Sequence, residues 1–195
     1  MISTLSTKIV NRLIKKSIIN DTEKELYTYG LFMLLSQTLY FILTVIFGVL
    51  LNIVLESVIF YVAFLFIRTN AGGIHASSEL KCEVATTLSL FLCLGIVKLC
   101  DLYNLKLVIV ILTIVAEVFI FVLCPLDTPE KPLSKKEKIY FRKKSWIILL
   151  IILTIIGLSL CFEINTLIYP CCMSLILESI LLCLGKIKGI RKKNG

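Results

Sequence analysis

Six long apolar runs fill more than half of this 195-residue chain and leave it few choices of fold. They are bounded by charged residues or Asn and extend over residues 31–51, 53–67, 84–99, 107–123, 146–162 and 164–184. Hydrophobic residues make up 58% of the chain, against roughly 45–50% in soluble domains. A chain of this length cannot bury so much apolar surface in its own core. We therefore expect lipid to surround most of these side chains, which excludes a soluble enzyme, a secreted disulfide scaffold and a disordered tail.

The lengths of the runs predict how many of them cross a membrane. A spanning helix needs about 20 residues, with a range near 17–25. Four runs reach that range, whereas 53–67 and 84–99 are short and either are re-entrant or borrow flanking residues to span. The sequence predicts an all-α, polytopic membrane helix bundle of about six transmembrane helices. The bundle covers residues 31–184 within a single integral membrane domain over 1–195.

The basic residues predict the orientation. The net charge is +8, and 19 of the 21 Lys and Arg residues fall in the N-terminal segment, in the loops after the second and fourth runs, and at the C-terminus. Only Lys98 and Lys106 lie on the opposite side. Because cytoplasmic loops carry an excess of Lys and Arg, six crossings with both termini in the cytoplasm fit this pattern. Anionic lipid headgroups are the expected partners of these charges, and nucleic acid is not.

Residues 1–20 have the pattern of a basic amphipathic helix. On a helix, Leu5, Ile9 and Leu13 share one face, while Lys8 and Arg12 lie on the other. No continuous apolar stretch of the kind found in signal peptides comes before the first lysine pair. We expect this helix to lie in the cytoplasmic interface of the membrane.

The longest polar break between closely spaced apolar runs is the segment 68–82. It contains the single histidine of the chain, His75, and Cys82 follows seven residues later. A histidine can take the proton of a cysteine thiol and so produce the nucleophilic thiolate. Gly72 and Gly73 provide a bend and backbone N–H groups that can face an oxyanion, and the Arg68 charge lowers the pKa of a nearby thiol.

Helix geometry constrains how this pair can work. Seven residues of a straight helix separate two positions by about 10.5 Å, which is too far for a hydrogen bond. We therefore expect His75 on a loop or turn after the two glycines, and Cys82 near the start of the third apolar run. A helix N-terminus at that point favours the thiolate.

Neither a metal site nor a cofactor is expected. A single histidine cannot form an H-E-x-x-H zinc site, and the eight cysteines contain no C-x-x-C pair. Most of them lie inside apolar runs, where cysteine behaves as a small hydrophobe. The spacing of His75 and Cys82 does not by itself establish catalysis. A small transporter or channel lined by Glu56, Glu117 and Glu178, and a scaffold without activity, are alternatives.

The pattern Ala71-Gly-Gly-x-His75-x6-Cys82 resembles that of the accessory gene regulator protein B (AgrB) family. The basic, proline-containing loop 124–132, the six-run layout and the basic amphipathic start also resemble that family, so the resemblance covers essentially the whole chain. The AgrB proteins are membrane cysteine endopeptidases of bacterial quorum sensing.

The resemblance implies that Cys82 is the nucleophile and His75 its general base. The enzyme would cleave a short propeptide, release the acidic C-terminal tail and keep the remainder as a thioester. A thiol or hydroxyl of the substrate then closes a cyclic autoinducing peptide. Arg68, Gly72 and Gly73 are candidates for binding the substrate or the oxyanion. The resemblance also implies a homodimer in the bacterial cell membrane.

Overall fold

A computed structural model describes residues 2–72, 79–126 and 134–194, with the side chains of 79–82 and 188–194 left out. Within these ranges the chain is helical and contains no strand. A short 3-10 turn, Asp21–Glu23, precedes the second helix. The α-helices are α1 (Ile2–Lys15), α2 (Lys24–Leu51), α3 (Val54–Ala71), α4 (Glu79–Leu102), α5 (Lys106–Leu123), α6 (Lys135–Cys161) and α7 (Asn165–Asn194).

The six helices α2–α7 are long and apolar enough to cross a membrane. This confirms the predicted all-α, multi-pass bundle. The two short runs gain length from their flanks. Run 53–67 lies in α3 except for Ile53, which is the N-cap, and the 18 residues of this helix extend about 27 Å. Run 84–99 lies in the 20-residue apolar stretch Glu83–Leu102 of α4.

The chain divides into two compact units, residues 1–43 and 44–195. The first unit contains α1, which is helical as predicted. Its basic residues Lys8, Arg12 and Lys15 are exposed, while Val10 is buried. An exposed basic face beside an apolar face is the arrangement expected of an interfacial helix.

The second unit is organised around α7. This helix is the most deeply buried of the six candidate spans, and it packs mainly against α5 and α3 and less extensively against α6 and α4. Because successive spans alternate in direction, α3, α5 and α7 run parallel. Near the start of α7, the Tyr169 hydroxyl lies 3.3 Å from Asn104 Oδ1, just before α5. Near its middle, Glu178 faces Arg68 of α3.

Gly48 and Ser57 show how closely α2 and α3 pack where one follows the other. Asn52 takes a positive φ of 55° between the two helices, and a Cβ added at Gly48 would overlap the Ser57 hydroxyl. Only glycine leaves room for the neighbouring helix at this point. The tight turn explains how α3 begins only three residues after α2 ends.

Candidate active site

The carboxyl end of α3 is where the predicted catalytic segment begins. α3 ends at Ala71, and Gly72 follows with φ 82° and ψ −151°. This combination is essentially restricted to glycine. The Gly72 N–H still donates to the Arg68 carbonyl at 3.2 Å. The predicted bend therefore occurs at Gly72, immediately after the last turn of the helix.

Arg68 is held against this bend. Its Nη1 donates to the Gly72 carbonyl oxygen at 2.7 Å, a short charge-assisted hydrogen bond. The same Nη1 lies 3.8 Å from Glu178 Oε1 on α7. The Arg68 side chain is 21% exposed and that of Glu178 is fully buried. Arg68 therefore links the exit of α3 to the central helix.

A second segment, the chain just after α5, contacts the same bend. The Leu126 N–H donates to the Ala71 carbonyl at 2.9 Å. A Cβ added at Gly72 would lie 3.0 Å from the Leu126 carbonyl oxygen. Glycine is thus required at position 72 both for its backbone conformation and for this close approach.

Arg142 holds the post-α5 segment from the side of α6. Its Nε donates to the Cys124 carbonyl oxygen at 3.0 Å. Two arginines, Arg68 and Arg142, therefore each bind a backbone carbonyl where the ends of α3 and α5 meet. We call the contact of residues 71–72 with residues 124–126 the α3–α5 junction. The undescribed segments 73–78 and 127–133 both follow directly from it.

Cys124 at the junction is unsuited to nucleophilic chemistry. Its side chain is buried, and burial raises the pKa of its thiol to about 11, with Ser145 and Arg142 acting in the opposite direction and Glu178 adding to the rise. At pH 7 only about one such thiol in 10⁴ is ionised. Since the thiolate is the nucleophile, this cysteine is a packing residue.

The raised pKa of Cys124 makes its alkylation strongly pH-dependent. We expect the rate of reaction with iodoacetamide to be very low at pH 7 and to rise about tenfold per pH unit toward pH 11, because thiolate forms only as pH approaches the pKa. Peptide-resolved mass spectrometry of the full chain in detergent measures the rate. Cys161, which is exposed, is the reference in the same molecule. Equal labelling of the two cysteines at pH 7 would contradict this assignment.

The described backbone locates Cys82 but not His75. Cys82 is the fourth residue of α4, close to the start of the third apolar run as expected. Its side chain lies outside the described residues, as do His75 and Gly73. The structure brings Arg68 and Gly72 into direct contact. Whether His75 and Cys82 form a dyad stays a prediction.

Most of the other cysteines behave as packing residues. Among the described side chains, Cys93, Cys100, Cys124, Cys171 and Cys172 are buried, and each described cysteine is free of disulfides. The described part of the chain also holds no group of three His, Cys, Asp or Glu residues that could bind a metal ion.

The three intramembrane carboxylates differ in their surroundings. Glu56 lies in the first turn of α3, Glu117 is half-buried on α5, and Glu178 is fully buried on α7. The pairing of Glu178 with Arg68, and the role of Arg142, were not anticipated from the sequence. The available signal was an acidic residue inside the last apolar run and a basic residue directly after the second run, but these positions do not identify which helices are neighbours.

Six apolar helices with a polar junction at the ends of α3 and α5 define a small multi-pass membrane protein. The family model for accessory gene regulator B matches residues 6–182. The chain belongs to the AgrB family, a peptidase family of quorum sensing, and this membership implies AgrB-like processing of a propeptide.

Two relatives from Clostridium perfringens support this placement. The chain is 32% identical over 174 residues to the putative AgrB-like protein of strain SM101 / Type A, covering 85% of this chain and 80% of the relative. It is 27% identical over 173 residues to putative AgrB-like protein 2 of strain 13 / Type A, with the same two coverages. No solved structure gives a significant match.

Proposed function

We propose that this protein is a membrane cysteine endopeptidase that cleaves a C-terminal tail from a quorum-sensing propeptide and promotes its cyclisation to an autoinducing peptide. The observation that carries the proposal is the family match over residues 6–182, which includes the Ala-Gly-Gly-x-His75-x6-Cys82 pattern. The proposal assigns Cys82 as the nucleophile and His75 as the general base.

The chemistry proceeds in two steps. His75 takes the proton of the Cys82 thiol, and the thiolate sulfur attacks the carbonyl carbon of the scissile peptide bond. The C–N bond breaks, the tail leaves with a new amino group that takes the proton from His75, and the acyl part stays as a thioester. A thiol or hydroxyl of the substrate then attacks the thioester, closes the ring and restores the Cys82 thiol. No cofactor enters this scheme.

The local structure supports these roles. Cys82 lies in the first turn of α4, and the partial positive charge of a helix N-terminus stabilises a thiolate. Gly72 and Gly73 are proposed to supply N–H groups to the oxyanion, which for Gly72 requires that its N–H leaves the Arg68 carbonyl to which it donates in this structure. A site between apolar helices also keeps water from the thioester, as ring closure requires.

The proposal extends to partners and orientation. The substrate tail is acidic, which suits the basic loops that we assign to the cytoplasm. Arg68 is a candidate contact for a substrate carboxylate or oxyanion. We further propose cytoplasmic termini, an interfacial helix at residues 1–20 within a single membrane domain over 1–195, and a homodimer in the cell membrane.

An acyl-enzyme on Cys82 is the direct test of the proposed function. We expect co-expression with the cognate propeptide, followed by rapid acid quench and peptide mapping, to yield an adduct of the ring-forming part of the propeptide on Cys82. The Cys82 peptide should gain the mass of the tail-less substrate, counted as its free acid, minus the mass of one water molecule. The adduct is expected to disappear with hydroxylamine, which cleaves thioesters.

A variant propeptide whose ring-closing Cys or Ser is replaced by Ala should increase the amount of adduct, because the second step is blocked. Tail release without any adduct in this variant, together with tail release by Cys82→Ala protein, contradicts the proposal. Transport of the peptide with no tail release supports the transporter alternative instead.

A further inference from the structure

Glu178 is an acidic residue that is fully buried inside the helix bundle. It lies in the central helix α7 with 0% exposure. Neither carboxylate oxygen has a hydrogen-bond partner among the described residues. A buried carboxylate without hydrogen bonds is strongly destabilising. Intramembrane ionisable groups commonly mark functional sites.

Glu178 acts on Arg68 through charge rather than through a hydrogen bond. The Arg68 Nη1 to Glu178 Oε1 distance of 3.8 Å exceeds hydrogen-bond length. The same nitrogen makes its short contact with the Gly72 carbonyl, at 2.7 Å. The low dielectric of a buried site strengthens the attraction between opposite charges at this distance, and this attraction offsets part of the desolvation penalty of the buried carboxylate. Glu178 therefore keeps the guanidinium near α7 while the N–H group stays available to Gly72.

Gly72 is the residue at which the predicted catalytic segment turns away from α3. His75 follows three residues later. The Arg68 bond to Gly72 and the Leu126 bond to Ala71 hold the two residues before that segment. A displacement of Arg68 therefore shifts the starting point of the segment that carries His75.

We propose that Glu178 is a positioning residue for catalysis, which acts through Arg68 and Gly72 to orient the His75 segment toward Cys82. This rests on the proposed roles of His75 and Cys82. It assigns Glu178 to the peptidase site rather than to an ion or substrate path through the membrane. It also assigns Arg68 a backbone-holding role, in addition to any contact with substrate.

The competing explanation is that Glu178 only neutralises Arg68 inside the bundle. Both explanations predict that a single substitution is harmful, since an unpaired buried charge is costly. They differ for the charge swap Arg68→Glu/Glu178→Arg. The swap restores a pair of opposite charges, but a carboxylate at position 68 cannot donate to the Gly72 carbonyl.

The first experiment compares Glu178→Gln with the matched variant Glu117→Gln in membranes. We expect Glu178→Gln to lower kcat for propeptide cleavage at least tenfold with KM within about twofold, at a membrane content close to that of the unchanged protein. Glu178→Asp, which keeps the charge, is expected to recover part of kcat. Glu117→Gln should cleave normally, because Glu117 is half-buried on α5 and lies outside the α3–α5 junction. Unchanged kcat in Glu178→Gln overturns the proposal.

The second experiment uses the charge swap and also covers the case in which Glu178→Gln fails to accumulate. We expect the swap to raise the membrane content above that of Arg68→Glu alone, while cleavage stays at least tenfold below that of the unchanged protein. Recovery of cleavage together with membrane content would show that charge neutralisation suffices and would overturn the positioning role.

The third measurement needs no propeptide and so separates this proposal from the proposed function. The rate of Cys82 alkylation by a small maleimide is followed by peptide-resolved mass spectrometry, with Cys161 as the reference. We expect a several-fold slower rate at Cys82 in Glu178→Gln and no change in Glu117→Gln. Equal Cys82 rates in all three proteins overturn the positioning role. If the unchanged protein cleaves no propeptide, the proposed function fails while this comparison still tests Glu178.

Discussion

Cys82→Ala protein is expected to insert normally and to release no propeptide tail, and His75→Ala protein is expected to be similarly inactive. The first variant lacks the sulfur that becomes acylated, and the second lacks the base that produces the thiolate. Removal of a nucleophile or its base from a hydrolase commonly costs 10⁴-fold or more in kcat. Tail release from a labelled propeptide in isolated membranes, normalised to the amount of inserted protein, measures the effect.

Cys82→Ser provides a finer test at the same position. The serine side chain is similar in size to that of cysteine and carries a hydroxyl in place of the thiol. A serine hydroxyl is far harder to ionise than a thiol. We expect it to be nearly as inactive as Cys82→Ala, because His75 alone, without the further groups that activate serine hydrolases, does not compensate.

Two matched controls lie in the same chain. Cys183→Ser and Cys161→Ser change cysteines of α7 and α6 that are only partly buried or exposed, and both are expected to retain cleavage. Normal tail release by Cys82→Ala membranes would rule out the cysteine mechanism. Loss of activity in all four cysteine variants would instead indicate a general effect on insertion, which the normalisation to inserted protein detects.

The helices could be predicted because membrane insertion depends on local composition. Each of the six apolar runs coincides with one of the helices α2–α7 to within one residue at the ends that the helix does not cover, and the all-α class follows from hydropathy alone. The ends of the helices were harder to predict from the sequence. α6 begins at Lys135, well before its apolar run at 146, because Ser134 and Glu137 form a reciprocal capping box. The Ser-x-x-Glu spacing was visible in the sequence but lies in a basic stretch without hydrophobic pattern.

The site was predictable only where its chemistry is local in sequence. The bend at Gly72 follows from the Gly-Gly pair, and the position of Cys82 in the first turn of α4 follows from the polar break. The Arg68–Glu178 pair was not predictable, because it depends on α3 and α7 lying side by side in parallel. Hydropathy assigns a depth to each charge but does not say which helices are neighbours.

The α3–α5 junction could not be predicted from the sequence for the same reason. Its contacts join Gly72 and Ala71 to Leu126, and Arg142 to Cys124, across long stretches of sequence. Local patterns in the sequence, such as turns and amphipathic faces, contain no information on these pairings. Tertiary packing decides them, and it is packing that makes position 72 intolerant of a side chain.

Gly72→Ala is the second substitution for which we expect a large effect. The φ of 82° and ψ of −151° at Gly72 lie in a region that costs other residues on the order of 1–3 kcal/mol. The added Cβ would also lie 3.0 Å from the Leu126 carbonyl oxygen. We expect a loss of stability of about 1–3 kcal/mol and a fall in kcat/KM of at least tenfold, because relief of the strain displaces the Arg68 and Leu126 bonds that hold the junction.

Gly95→Ala is the matched control, since Gly95 lies within α4 and a Cβ there meets nothing within 4 Å. Alanine is favoured over glycine in a helix interior by roughly 0.5–1 kcal/mol, so this variant should be at least as stable as the unchanged protein and fully active. Thermal unfolding in detergent and propeptide cleavage in membranes measure the two effects separately. If Gly72→Ala matched Gly95→Ala in both assays, the bend at Gly72 would have no part in holding the site. A loss of cleavage that exceeds the loss of folded protein would instead place the bend in the catalytic geometry, because strain relieved at Gly72 moves the segment that leads to His75.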